Sequence, residues 1–236
     1  ILTVSDFSAQ EIMTHLKIPS DKVHVVHQSV SDRFSPDRQE DASRVREKFG
    51  LPEQYILYVG MLEPRKNVKR LIRAFGAVAD DLGGTALVLC GRTDDPGFTI
   101  EDEVRDAGIA ERVRVLGYVD DEDLPVLYAG AHAFAFPSLY EGFGRPVVEA
   151  MASGVPVLCS NTTSLPEVAG DAALLVAPED TDAIADGLRR ICIDDECREE
   201  LRAKGLERAR EFTPAKFAER LSAFYQRAEM GLCVSP

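Results

Sequence analysis

"HAFAFPSLYEGFGRPVVEAMASGVPVLCSN", residues 132–161, decides the fold. An apolar run, His132–Ser138, leads into a glycine-bearing turn. A helical pattern follows and ends near Ser153–Gly154, before a second apolar run at Pro156–Asn161. Both apolar runs have strand length and no polar alternation, so each reads as a strand covered on both faces. Pro146 suits the first turn of the helix between them. Strand, turn, helix and strand in this order form the unit from which parallel sheets are wound.

The alternation extends in both directions. Upstream, "YILYVG" (Tyr55–Gly60) is a strand, and Val68, Leu71, Ile72, Phe75 and Val78 then fall on one helical face. "TALVLCG" (Thr85–Gly91) and "VRVLGYV" (Val113–Val119) are further strands. Short helices are expected near Glu101–Ala107 and within "DDEDLPVLYAGA". Downstream, "AALLVAP" (Ala172–Pro178) is the last strand, and three helical patterns follow it. The expected fold class is α/β: a doubly wound, Rossmann-like parallel sheet of about six strands with helices on both faces, its ligand at the carboxyl ends of the strands.

Residues 51–215 are expected to form this Rossmann-like domain, and 216–236 a C-terminal helix. Residues 1–50 read as the tail of a preceding domain plus a linker. They hold one strand, a helix capped by Ser5 or Asp6, a strand in "KVHVVHQSV" and a polar connector, "SDRFSPDRQEDASRV". The chain does not begin with Met, so residue 1 is not expected to be the natural start, and no signal peptide is evident.

The 236 residues are 45% hydrophobic, enough for a packed core and against disorder. The apolar runs are too short to cross a bilayer. A net charge of −13 argues against a nucleic-acid partner, which would select a basic face. It does not argue against an anionic ligand, because a few cations and a helix N-terminus suffice to hold a phosphate. The five cysteines, Cys90, Cys159, Cys192, Cys197 and Cys233, include no CxxC pair. Cys90 and Cys159 lie in apolar strands and read as small buried hydrophobes, so a reducing compartment is expected and a disulfide framework or zinc site is not.

Two stretches carry chemistry. In "VGMLEPRKNVKRLI" (Val59–Ile72), Gly60 ends a strand and Arg65 and Lys66 stand at the mouth of a helix, at the ligand edge of a parallel sheet. They suit a diphosphate, Arg as a fork and Lys as a point charge, or simply solvate a helix start. In "EGFGRPVVE" (Glu141–Glu149), Gly142 and Gly144 permit close approach, and the N–H groups of Phe143, Gly144 and Arg145 face the ligand space. Glu141 and Glu149 read either as hydroxyl acceptors or as a cap and a solvated carboxylate. "SNTTSLPEVAG" (Ser160–Gly170) lies at the same edge and either lines a pocket or makes a turn. His132 opens a strand and reads as structural.

Together, "VGMLEPRKN…LI" and "PSLYEGFGRPVVEAMASGVPVLCSNTTSLPEVAGDAALLVAPED" resemble the nucleotide-sugar-binding C-terminal half of a retaining glycosyltransferase. The family is the "group 1" set, often called family 4, with the GT-B fold of two facing Rossmann-like domains. The likeness runs from about Ser5 to the C-terminus. It implies that Glu149 binds ribose hydroxyls, that Glu141 faces the donor sugar, and that Phe143 and Gly144 present amides to sugar hydroxyls and phosphate. It implies Lys66 on the diphosphate, Tyr118 and Val119 framing the base, and Leu165 near the nucleotide.

The chain departs from the family in places. Many relatives carry Arg where Met61 stands, and Arg65 is the expected substitute. Many carry an apolar residue at Arg145, for which a further phosphate contact is one role. "HQSVSD" lacks the hinge glycine. The acceptor-binding N-terminal domain is expected in the same chain or a partner. The implied reaction moves a sugar from a nucleoside-diphosphate sugar to a glycan, lipid or small-molecule acceptor, without metal or cofactor. "EPRKN" resembles members that use GDP-mannose or related deoxysugar donors. The implied location is cytoplasmic, with peripheral membrane contact through the acceptor half. An epimerase or phosphorylase on the same scaffold, or a non-catalytic binding module, are the alternatives.

Overall fold

The computed structural model describes residues 1–93, 95 and 97–229. Cys233 and the last residues of the expected C-terminal helix, 230–236, lie outside them. The chain opens with β1 (Leu2–Thr3), α1 (Asp6–Leu16) and β2 (His24–Val25), and β1 and β2 pair in parallel as a small separate sheet. Ser5 caps α1, its side chain accepting from the Ser8 N–H. The expected polar connector is not a bare linker. It forms a 3₁₀ turn at Pro36–Asp41 and α2 (Ala42–Phe49). Phe34, Ala42 and Val45 within it are buried, and Phe34 meets the Tyr128 ring edge-on at 5.4 Å. Its few apolar residues fall where they can join the core, a placement that average polarity hides.

The main sheet takes β3 (Tyr55–Val59), β4 (Ala86–Cys90), β5 (Val113–Gly117), β6 (Ala133–Phe136), β7 (Val157–Ser160) and β8 (Ala173–Val176). All neighbours are parallel, in the order β5-β4-β3-β6-β7-β8. Counted from β3, this is 3-2-1-4-5-6, the doubly wound order expected from the sequence. The continuous apolar strands are the cause. Ile56, Leu57, Leu87, Val88, Leu89, Phe134, Ala135, Leu158 and Cys159 have no exposed surface, so both sheet faces are covered.

The connecting helices are α3 (Val68–Val78), α4 (Glu101–Asp106), α5 (Leu124–Ala129), α6 (Arg145–Ala152) and α7 (Leu165–Ala169). After β8 come α8 (Thr181–Ile193), α9 (Asp195–Ala209) and α10 (Pro214–Glu229). One layer joins α3 to α4 and α8; the other joins α2, α5, α6 and α9. The predicted face of α3, Val68, Leu71, Ile72, Phe75 and Val78, is buried throughout. Two details differ from the sequence reading: β5 stops at Gly117 in a left-handed conformation (φ 66°), and "SLPEVAG" contains the short α7 rather than only a turn. Cys90 and Cys159 are buried, and burial pushes both thiols up to about 12. No described helix is long and apolar enough to cross a membrane.

Asn67, just before α3, ties the two halves of the sheet together. It is buried and left-handed (φ 61°), a conformation asparagine tolerates better than most residues. Its Nδ2 donates to the carbonyls of Pro137 (2.9 Å), beyond β6, and Pro178 (2.6 Å), beyond β8. Asn67→Ala leaves the Pro137 carbonyl without its donor and the Pro178 carbonyl with only Arg70 at 3.3 Å, and it strains the backbone. We expect a loss of about 2–4 kcal/mol, read as a lowered urea midpoint at unchanged m-value. Asn67→Gly, which removes only the strain, recovers part of that loss.

Candidate functional site

The strand order reverses between β3 and β6, the switch point outside whose carboxyl ends open α/β sheets bind their ligands. The chain leaves β3 through Gly60 into a 3₁₀ turn at Pro64–Lys66. It leaves β6 through residues 137–144 into α6. The two loops are joined by backbone, the Leu139 N–H donating to the Arg65 carbonyl at 2.9 Å.

Charge crosses the same junction. Lys66 Nζ donates to Glu141 Oε1 at 2.6 Å, with both side chains almost wholly covered. Lys66 Nζ also lies 5.1 Å over the Phe136 ring. Arg65 is half exposed and forks between the Tyr140 carbonyl (2.7 Å) and Glu63 (2.6 Å), with Glu141 Oε2 at 3.6 Å. Both predicted cations therefore converge on the first predicted glutamate. They precede α3 on their own turn rather than belonging to its first turn.

Glu149 sits in α6, buried at 7% exposure. Its Oε2 accepts from the Tyr128 hydroxyl at 3.0 Å and its Oε1 from Arg145 at 3.3 Å. Burial raises its carboxyl above the usual range, while Arg145 and Tyr128 pull it back. Arg145, whose role the sequence left open, thus neutralises Glu149 from one helical turn away, and its own side chain is mostly exposed. Tyr128 carries a hydroxyl pushed well above its ordinary range by burial and by Glu149, so it stays a donor.

Between the glutamates, α6 begins at Gly144 (φ 101°). A Cβ there would lie 2.5 Å from Leu165 Cδ2, so glycine is required on both conformational and steric grounds. Among the described residues, the backbone N–H groups of Phe143, Gly144 and Arg145 have no acceptor, as expected at a helix N-terminus. The Phe143 side chain is buried against Phe212, ring centroids 5.6 Å apart, so only its backbone faces outward.

Hydroxyls fix the loop. Ser160 donates to the Ser138 carbonyl (2.6 Å) and Ser164 to the Glu141 carbonyl (2.9 Å), and the Glu141 N–H donates to Thr163 (3.2 Å). The "SNTTS" stretch therefore acts as scaffold for the loop, a role beyond the pocket lining or turn expected from the sequence. The other predicted residues lie farther out or deeper. Gly60 ends β3, its N–H bonded to the Cys90 carbonyl. Tyr118, 68% exposed, and buried Val119 lie at the same sheet edge beyond β5, two strands from the junction, with Arg92 5.9 Å over the Tyr118 ring. Leu165 is fully buried beneath Gly144, so its side chain is floor rather than contact surface. His132 bonds the Cys192 carbonyl at 3.1 Å, a structural role.

Asn67, Tyr128 and Arg145's pairing were not legible in the sequence, since each depends on a partner from another turn or element. Among the described residues one group has metal-ligand character: Asp6, His27 and Glu167. Glu167 is already engaged, accepting from the Asp6 and Phe7 N–H groups and meeting His27 Nε2 at 2.7 Å.

The sequence profile of the family described as "Glycosyl transferases group 1" matches residues 39–211. The chain belongs to this family. An O-antigen chain mannosyltransferase B of Escherichia coli is 42% identical over 215 residues, spanning 90% of this chain and 56% of that protein. An MMP alpha-(1->4)-mannosyltransferase of Mycolicibacterium hassiacum is 33% identical over 97% of this chain and 54% of its own length. The chain thus spans about half the length of these relatives. A sucrose-phosphate synthase from Thermosynechococcus elongatus superposes with a TM-score of 0.83 at 27% identity, covering 98% of this chain and 58% of that one. The fold is that of the C-terminal domain of a GT-B glycosyltransferase.

The Glu149 environment sets a pH dependence. A carboxyl whose folded value is raised stabilises the fold while protonated, and that contribution is lost as pH rises from the ordinary carboxylate range through the raised value. Glu149→Gln keeps an acceptor for Tyr128 and removes the titration. As pH rises from the ordinary glutamate range, about 4, through the raised value, its urea midpoint should gain on that of the wild type. A constant offset between the two curves counts against the assignment.

Proposed function

We propose that this chain is the donor-binding half of a retaining glycosyltransferase that takes a hexose, mannose foremost, from its nucleoside diphosphate. The observation that carries this reading is the arrangement at the β3–β6 junction. Two buried carboxylates flank a helix N-terminus whose amides have no acceptor among the described residues, and two cations face the first of them. A sugar nucleotide has hydroxyls at both ends and a dianion between. Glu141 accepts from sugar hydroxyls and Glu149 from the ribose. Lys66, Arg65 and the amides of Phe143 and Gly144 hold the diphosphate. The named mannosyltransferase relatives support the choice of sugar, and GDP is the carrier proposed with it.

The Lys66–Glu141 pair has a chemical use in this reading. Before donor binding, Glu141 compensates the lysine charge in a covered site, where an unpaired ammonium is costly. When the diphosphate arrives, Lys66 shares its donors with it. Negative charge grows on the diphosphate as the glycosidic bond breaks, and Lys66, Arg65 and the α6 N-terminus then stabilise the leaving group. Attack from the same face lets a donor phosphate oxygen take the acceptor proton. The acceptor comes from a second domain, in the same chain or a partner, which we also propose as the point of contact with the inner membrane face. Tyr118, with Arg92 over its ring, offers a flat surface to the base.

Calorimetry with GDP-mannose tests the donor site. The wild-type chain should bind. Lys66→Ala and Glu149→Ala should each weaken binding about 10- to 100-fold, the worth of a charge-assisted hydrogen bond. Equal affinities across the three proteins refute the site. A tighter fit to UDP- than to GDP-sugars refutes the carrier.

A further inference from the structure

We infer that Ser5 and Ser8 of α1 are positioning residues that aim the Phe143 amide at the donor diphosphate, an inference that rests on the donor-site reading above. Ser5 is fully buried, and its Oγ accepts from the Ser8 N–H at 3.0 Å while donating to the Gly142 carbonyl at 2.6 Å. Ser8 Oγ donates to the same carbonyl at 3.0 Å. Both lone pairs of one carbonyl are thereby taken by hydroxyls of one helix turn. Neither serine touches the charged groups of the site. Capping α1 accounts for the hydrogen bond Ser5 accepts, but not for the two that converge on Gly142.

Peptide geometry gives this clamp its consequence. In a trans peptide the carbonyl and the following N–H point in opposite directions, and the described residues include no cis peptide. Turning the Gly142 carbonyl toward α1 therefore turns the Phe143 N–H away from α1, and this N–H, like those of Gly144 and Arg145, has no acceptor among the described residues. Glycine at 142 leaves this peptide free to rotate unless something holds it. The neighbouring peptide is already held through Glu141 by Thr163 and Ser164. α1 supplies the remaining restraint.

α1 is itself held from two sides, by α7 and by the loop. The Glu167 carboxylate accepts from the Asp6 and Phe7 N–H groups at 2.9 and 3.1 Å, at the positive end of the helix. Tyr140 donates to Glu11 at 3.0 Å, and its ring meets Phe7 at 5.4 Å. Yet α1 lies between β1 and β2, whose sheet is separate from the main one. The orientation of one phosphate-binding amide thus depends on where this small unit is docked, so displacing α1 switches that donor off without altering a charged residue.

The test is calorimetry on the wild type, Ser8→Ala, Ser5→Thr and the double variant Ser5→Ala/Ser8→Ala, each with GDP-mannose, GDP and GMP. Ser8→Ala leaves the helix cap in place. It should lose about 2- to 10-fold in affinity for GDP-mannose and GDP, the worth of a neutral hydrogen bond, and nothing for GMP, which lacks the second phosphate. The double variant should lose more in the same pattern, and Ser5→Thr, which keeps a hydroxyl, should match the wild type. Unchanged GDP affinity in the double variant overturns the inference. So does an equal loss for all three nucleotides with a lowered urea midpoint, the mark of a merely structural role. Failure of the wild type to bind any of the three overturns the donor-site reading and this inference with it, and is told apart by the wild type alone.

Discussion

The ion pair between Lys66 and Glu141 is the constraint around which the candidate site is arranged. It joins the loops that follow β3 and β6, the two strands between which the sheet reverses its winding. A covered ammonium and carboxylate are tolerated only when each is compensated. The surrounding contacts provide for that: Arg65 approaches the far oxygen of Glu141, Phe136 lies under the lysine, and hydroxyls from Ser138, Ser160, Thr163 and Ser164 hold the loop backbone. Opposite charges thus meet at the junction, and neither sign dominates, which suits the donor proposed above.

The second carboxylate follows a different logic. Glu149 is raised by burial and moderated by Arg145 and Tyr128. It is held by a residue one turn earlier on its own helix and by a tyrosine from α5. The two glutamates of one motif therefore have unlike surroundings: one is locked to cations across the junction, the other sits in a mostly apolar wall. On the proposed reading, the sugar and ribose ends of the donor find different partners at each.

The fold was legible because its strands are unambiguous. Runs such as "YILYV", "ALVLC" and "AFAF" lack alternation, and only a sheet covered on both faces hides them. The α3 face was legible for the matching reason, a clean helical period. The helix in the segment Ser31–Val45, read as a polar connector, was not legible because α2 buries only Ala42 and Val45 among charged residues. The short α7 was missed because "SLPEVAG" carries turn residues at both ends. In each case the local signal was weak and burial against the rest of the chain settled the outcome.

By itself the sequence determined the doubly wound topology, the strands that lead to the switch point, and which charged residues gather there. These follow from hydrophobic period and from the backbone demands of glycine and proline, all local along the chain. Only the tertiary structure decided how those charges pair: Lys66 with Glu141, Arg145 with Glu149, Tyr128 beneath it, and Ser5 with Ser8 on the Gly142 carbonyl. Most of these partners are 21 to 137 residues apart. A hydrogen bond selects by direction and distance to within tenths of an ångström, and no pattern of neighbours along a chain encodes that. It exists once the elements have packed.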